Sequence, residues 1–155
     1  DGTSKRMSYA DSWGNILSKH VQFRCKICPD GTGAHADVVC ADAWESDEKG
    51  YPKFGELDGQ SMIISRTAKG EALVREAMQA RVIDAQPLAV ALIDQMQPGQ
   101  YRRKRLVLSR ILAMRLAFAG PPEFKGYNLL KAARIAPVVE NAKSFLGMLR
   151  RLVLN

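Results

Sequence analysis

Residues 24–44 read RCKICPDGTGAHADVVCADAW, and all three cysteines of the 155-residue chain lie in this stretch. Cys25 and Cys28 are separated by two residues. At that spacing a tight turn lets both sulfurs converge on one metal, often with backbone N–H groups aimed at them. PDGTG follows, a cluster of turn formers in which Pro29 fixes φ while Gly31 and Gly33 accept positive φ. Spacing alone leaves three readings open: a zinc site, part of an iron–sulfur cluster, or thiols that are merely small buried hydrophobes.

Zinc has a concrete form here. Cys25, Cys28, His35 and Cys40 make a C-x2-C-x6-H-x4-C set close to a zinc knuckle. Combined with a basic C-terminal third, it would make the chain a zinc-stabilised nucleic-acid-binding module. Three features weigh against this, and nucleic acid is the disfavoured partner. Residues 36–41 read as a buried strand containing Cys40, His35 sits in a turn where a solvated histidine needs no explanation, and stacking aromatics are few. An iron–sulfur cluster usually takes four ligands, so a chain with three cysteines would have to borrow.

On either side of the stretch the pattern predicts an α+β domain. Trp13, Ile16, Leu17 and Val21 suit a short helix running into an extended Val21–Phe23, and the cysteine stretch then follows as a loop. Residues 45–59 are acidic and aperiodic, as in a surface loop. Residues 61–66 read as a strand, Thr67 as a helix cap, and Leu73, Val74, Ala77 and Met78 as the apolar positions of the next helix. Val82 and Ile83 suit another short extended piece, and a brief helix after Pro87 should stop at Pro98–Gly99. An amphipathic basic helix is expected over 102–118, with Leu106, Leu108, Ile111, Leu112 and Leu116 beside Arg103, Arg110 and Arg115. The last helical region, 128–153, should break at Pro137. The expected architecture is a small mixed sheet packed by helices, with a helical C-terminal third.

Bulk properties agree with one globular domain over 1–155, since hydrophobic residues make up 46% and charged residues 25%. The chain begins with Asp1, and we expect it to be the C-terminal part of a longer protein. Its net charge of +7 is unevenly spread. Residues 1–100 carry 11 Lys and Arg against 14 Asp and Glu, whereas the basic helical subregion 101–155 carries 12 against 2. That subregion could meet nucleic acid, a membrane surface, an acidic partner or the phosphates of a cofactor. No apolar run approaches the roughly 20 residues that span a bilayer. An odd cysteine count fits a reducing compartment, with the cytoplasm as the default.

Ser61, Arg66 and Thr67 surround a strand-to-helix junction, where a helix N-terminus beside a guanidinium can seat a phosphate or the anionic side of a flavin. Thr67 as a plain cap and Arg66 as a solvated charge are equally ordinary. Asp30 and Asp37 suit turn capping. His20 and His35 have no partner at a spacing that would point to acid–base chemistry.

The run FRCKICPDGTGAHADVVCADAW, residues 23–44, resembles the C-terminal domain of the coenzyme F420 hydrogenase/dehydrogenase beta subunit family. In that family a Cys-x-x-Cys-x-Asp element precedes an Ala-Asp-hydrophobic-hydrophobic-x-Gly-Asp-x-Trp element, matched here by Ala36 through Trp44. Gly59 through Thr67 with Gly70 and Glu71 is similar to the family's next block, so the resemblance covers roughly residues 8–83. It implies a redox protein with FAD and a [4Fe-4S] cluster, exchanging hydride with coenzyme F420 or electrons with a ferredoxin-type donor. Cys25 and Cys28 would ligate the cluster with Cys40 as a further metal candidate, other ligands would come from an N-terminal domain, and Asp42 and Trp44 would line the redox site. The implied partners are a flavin and a hydrogenase- or dehydrogenase-type subunit, and self-association into a homo-oligomer is compatible with the sequence. One departure is Ala41, where the family usually has a glycine. A single methyl at a close-approach position can hold backbone away from a cofactor.

Overall fold

The computed structural model describes residue 2 and residues 4–8, 10–43 and 59–154. Trp44 and nearly all of the expected acidic loop lie outside the described residues. The N-terminal segment forms a π-helical stretch, Ala10–Ile16, and a 3-10 turn, Leu17–Lys19. A helix was expected there, but Trp13, Ile16 and Leu17 are exposed. The extended Val21–Phe23 is not observed as drawn, because Phe23 opens helix α1 (Phe23–Ile27), which places Cys25 on a helix and not in a loop. The reason lies at the end of α1. Ile27 is buried in the core formed by the C-terminal helices, and one helical turn carries it there.

Strands β1 (Val38–Asp42) and β2 (Ser61–Ser65) pair antiparallel, with Val38 opposite Ser65 and Asp42 opposite Ser61. The α+β class is as expected. Among the described residues the sheet has these two strands alone, so its pairing is antiparallel and not mixed. The strand containing Cys40 is also not buried: Val38, Val39 and Ala41 are half-buried and Cys40 is exposed. A two-stranded ribbon covers at most one of its faces.

Helix α2 (Ala68–Gln79) starts where the sequence predicts, with the Thr67 hydroxyl accepting the Gly70 N–H at 3.1 Å. Its Leu73 and Met78 stay exposed, and Val74 and Ala77 carry the half-buried face. Residues 82–83 form no strand. A 3-10 turn, Val90–Leu92, leads into α3 (Ile93–Met96), and Pro98 is the first residue of α4 (Pro98–Leu116). The brief helix thus ends at Met96, just before Pro98, as expected, and the same proline also begins the next helix, since its fixed φ suits the first turn and its missing N–H would have no partner there anyway.

Helix α4 organises the C-terminal half. Val107 and Ala113 are fully buried on it, Leu106, Ile111 and Met114 nearly so, while Leu112 and Leu116 face outward. The chain then forms α5 (Leu129–Ile135) and α6 (Val138–Val153), interrupted at Pro137 as expected. Ala136 before the proline takes ψ 143°, the extended conformation that a following ring imposes. Asn141 on α6 ties this corner together. Its amide donates to the Ala133 carbonyl at 3.0 Å and the Ala136 carbonyl at 3.3 Å, while its oxygen accepts the Ser109 hydroxyl at 2.6 Å. The core joins Ile27 to Val107, Ile111, Met114 and Met148, with Phe124, Leu129 and Phe145 packed around it.

Candidate functional site

The cysteine turn is held from three directions. On the core side, Arg110 of α4 donates to the Lys26 carbonyl, within the Cys-x-x-Cys element, and to the Ser144 hydroxyl at 3.1 Å. Burial and the neighbouring Arg151, Arg103 and Arg102 lower the Arg110 pKa from its ordinary value. Its charge persists at any physiological pH because guanidinium stays protonated in proteins.

On the sheet side, Arg66 donates to the Thr32 carbonyl at 2.8 Å and to the Thr32 hydroxyl at 3.3 Å, while its backbone N–H bonds the Asp37 carbonyl at 2.9 Å. Thr67 caps α2 and also donates its hydroxyl to Asp37 at 2.6 Å, and Lys69 lies 3.8 Å from the same carboxylate. Gly70 packs directly on the Asp37 carbonyl, where a Cβ would collide. Arg66, Thr67 and Gly70 therefore lock the start of α2 onto the turn between the cysteines and β1. Ser65 donates to Glu71 at 2.6 Å and Arg75 bonds it at 3.0 Å, and together these hold the Glu71 carboxyl below its usual 4.5.

On the third side stands Tyr127, from the segment joining α4 to α5. Its hydroxyl lies 3.1 Å from His35 Nε2, with the two rings edge-on at 6.2 Å. Burial and the Asp30 carboxylate raise its pKa above 10. Asp30 caps the turn as expected, accepting the Ala34 N–H at 2.8 Å.

Within this frame the Cys28 sulfur accepts the Asp30 N–H at 3.3 Å. The Cys28 thiol in turn donates to the Asp30 carbonyl at 3.4 Å, and the N–H aimed at sulfur would favour charge on it only as a ligand. Cys28 is half-buried and Cys25 exposed. Cys40 lies on β1 and lines a cavity of about 150 Å³ with Gly31, Ala41, Met62 and Gln97. Among the described residues no three His, Cys, Asp or Glu side chains gather as a metal-binding group. The alternative zinc set of Cys25, Cys28, His35 and Cys40 is thus not assembled, and His35 turns to Tyr127 instead. Asp42 and Ser61 face each other at the end of the ribbon, and the Asp42 carbonyl accepts from Gln97 at 2.9 Å.

Arg110, Tyr127 and Gln97 were not singled out by sequence reasoning as parts of this site. Each reaches it from a distance of dozens of residues, for which periodicity carries no signal.

The cysteine turn, the β1–β2 ribbon and the capped start of α2 all fall within residues 1–90, which match the family described as the C terminus of the coenzyme F420 hydrogenase/dehydrogenase beta subunit. The chain belongs to this family. It is 30% identical over 78 residues to the coenzyme F420 hydrogenase subunit beta of Methanothermobacter thermautotrophicus, covering 50% of this chain and 22% of that protein. The matched part therefore spans about a fifth of that relative. No solved structure matches the chain. The F420 beta-subunit match ends before α4, so Arg110 and Tyr127 brace the matched turn from unmatched sequence. Among the described residues no helix is long and apolar enough to cross a membrane.

Proposed function

We propose that this domain forms one wall of a flavin and iron–sulfur redox centre in a beta-subunit-type oxidoreductase, with Cys25 and Cys28 as two of the four ligands of a [4Fe-4S] cluster. The observation that carries this reading is the Cys28 sulfur receiving the Asp30 N–H inside the family-matched turn. Remaining ligands would come from polypeptide outside this domain, in a longer chain or a partner subunit. When bound, FAD would supply hydride exchange and the cluster single-electron transfer, linking a deazaflavin- or ferredoxin-type donor to an acceptor.

The residues of this chain would position and shield. Arg66 and Thr67 hold the turn rigid, and the exposed guanidinium of Arg66 keeps further donors available for a cofactor's anionic side. Asp42 and Ser61, opposite each other at the end of the ribbon, would contact the flavin, and Cys40 lines the neighbouring cavity. Free thiols at the surface suit a reducing compartment such as the cytoplasm.

The test is metal and flavin analysis of the full-length protein purified without oxygen. Iron and acid-labile sulfide in equal amounts, with Cys25→Ser and Cys28→Ser each losing most of the iron, support the assignment. A colourless, iron-free protein, or one holding zinc, overturns it.

A further inference from the structure

Helices α4 and α5 and the segment between them, with Ala34 and His35 of the family-matched part at one edge, enclose an open groove of about 460 Å³. Four cationic side chains line it: Lys104 and Arg105 from α4, Lys125 from the connecting segment and Lys131 from α5. Tyr101 and Tyr127 supply its flat walls, and no carboxylate is among its lining residues.

Two details set this groove apart from an ordinary solvated basic face. Among the described residues, none of the four cations has an acidic partner within ion-pair distance, although Arg102 next to them is paired to Glu140 at 3.3 Å. In addition, the Arg105 guanidinium lies 4.1 Å from the Tyr101 ring centroid, and its Nε is buried with no hydrogen-bond partner. A buried donor left unpaired is unfavourable, and an anion in the groove would neutralise the unpaired charge around it.

We propose that this groove is a binding site for a diphosphate-bearing small molecule. Four cations more than neutralise a diphosphate, whose oxygens accept from lysine and guanidinium donors. The volume falls in the range of small-molecule sites, and the tyrosine rings offer faces for a planar carrier group. The groove shares Tyr127 with the cysteine turn, so occupancy would be felt there. The proposal does not depend on the cysteines holding a cluster.

The experiment is calorimetric titration of the full chain with inorganic pyrophosphate and with adenosine diphosphate, using sulfate as control at about 0.15 M salt, where surface charge is screened. We expect saturable one-to-one binding of both phosphates and much weaker sulfate binding. Replacing Lys104 and Lys131 by Gln should weaken binding at least about tenfold, the loss expected for charge-assisted hydrogen bonds, whereas Lys143→Gln on α6 leaves it unchanged. A measurement on the unsubstituted protein stands beside this. Pyrophosphate should protect Lys104, Lys125 and Lys131 from amine acetylation and leave Lys143 reactive. Sulfate binding as tightly as pyrophosphate, no saturable binding, or equal acetylation of all four lysines with and without pyrophosphate would overturn the proposal.

Discussion

Arg110 reaches across 84 residues to bond the Lys26 carbonyl, between the two cysteines of the Cys-x-x-Cys element. This contact makes the C-terminal helices a support for the cysteine turn. Its partner on the other side of the same guanidinium is Ser144, so one side chain spans α1, α4 and α6. Arg110→Met keeps the apolar stem but leaves the Lys26 carbonyl without its donor, and stability should fall by about 1–3 kcal/mol. Arg110→Lys should recover only part of the loss, because a point charge cannot reproduce the guanidinium fork. Urea unfolding measures the change. Faster alkylation of Cys25 and Cys28 at native conditions would show that the turn itself has loosened, and unchanged alkylation would refute the support role.

Ile27 is the apolar counterpart of that bond. Buried among Val107, Ile111 and Met148, it anchors α1 from below. Ile27→Ala should destabilise the protein by about 2–5 kcal/mol, and Ile27→Val by about 0.5–1.5 kcal/mol. A thermal unfolding series over the two variants gives the comparison.

Gly70 must be glycine for a steric reason and not a conformational one. Any Cβ there meets the Asp37 carbonyl and the Val38 side chain. Gly70→Ala should therefore cost about 1–3 kcal/mol through a forced separation of α2 from β1, against the usual gain from alanine within a helix. Thr67→Ala should lose about 1 kcal/mol as a missing cap, and chemical denaturation of the two single variants and the double variant would show whether they act on one junction.

Glu71 sets an acid limit on stability. Its folded carboxyl sits below 4.5 because Ser65 and Arg75 favour the charged form. The stabilisation is thus complete above 4.5 and disappears as pH falls through the lower folded value. Between about pH 5 and pH 3, the urea midpoint of Glu71→Gln should decline less steeply than that of the parent protein. Parallel curves would show that the Ser65 and Arg75 contacts do not persist in solution.

Tyr127 sets the opposite limit. With its phenol pKa raised above 10, mainly by burial and by Asp30, the folded state retains its proton longer than the unfolded chain. Stability is complete below 10 and falls as pH rises through the folded value. Tyr127→Phe should flatten the alkaline arm of the stability profile, read from fluorescence-monitored unfolding.

Local chemistry is what the sequence by itself determined. The capping roles of Thr67 and Asp30, the β2-to-α2 junction and the break at Pro137 each depend on residues a few positions apart, whose preferences act within one turn of chain. Tertiary structure decided the rest. Ile27 drew Cys25 onto a helix, the narrow ribbon exposed Cys40, Pro98 opened a second helix directly after the one it closed, and His35 went to Tyr127. Burial and long-range pairing produced each of these outcomes. The energy of such contacts depends on which surfaces the whole chain brings together, a quantity that no short window of sequence contains.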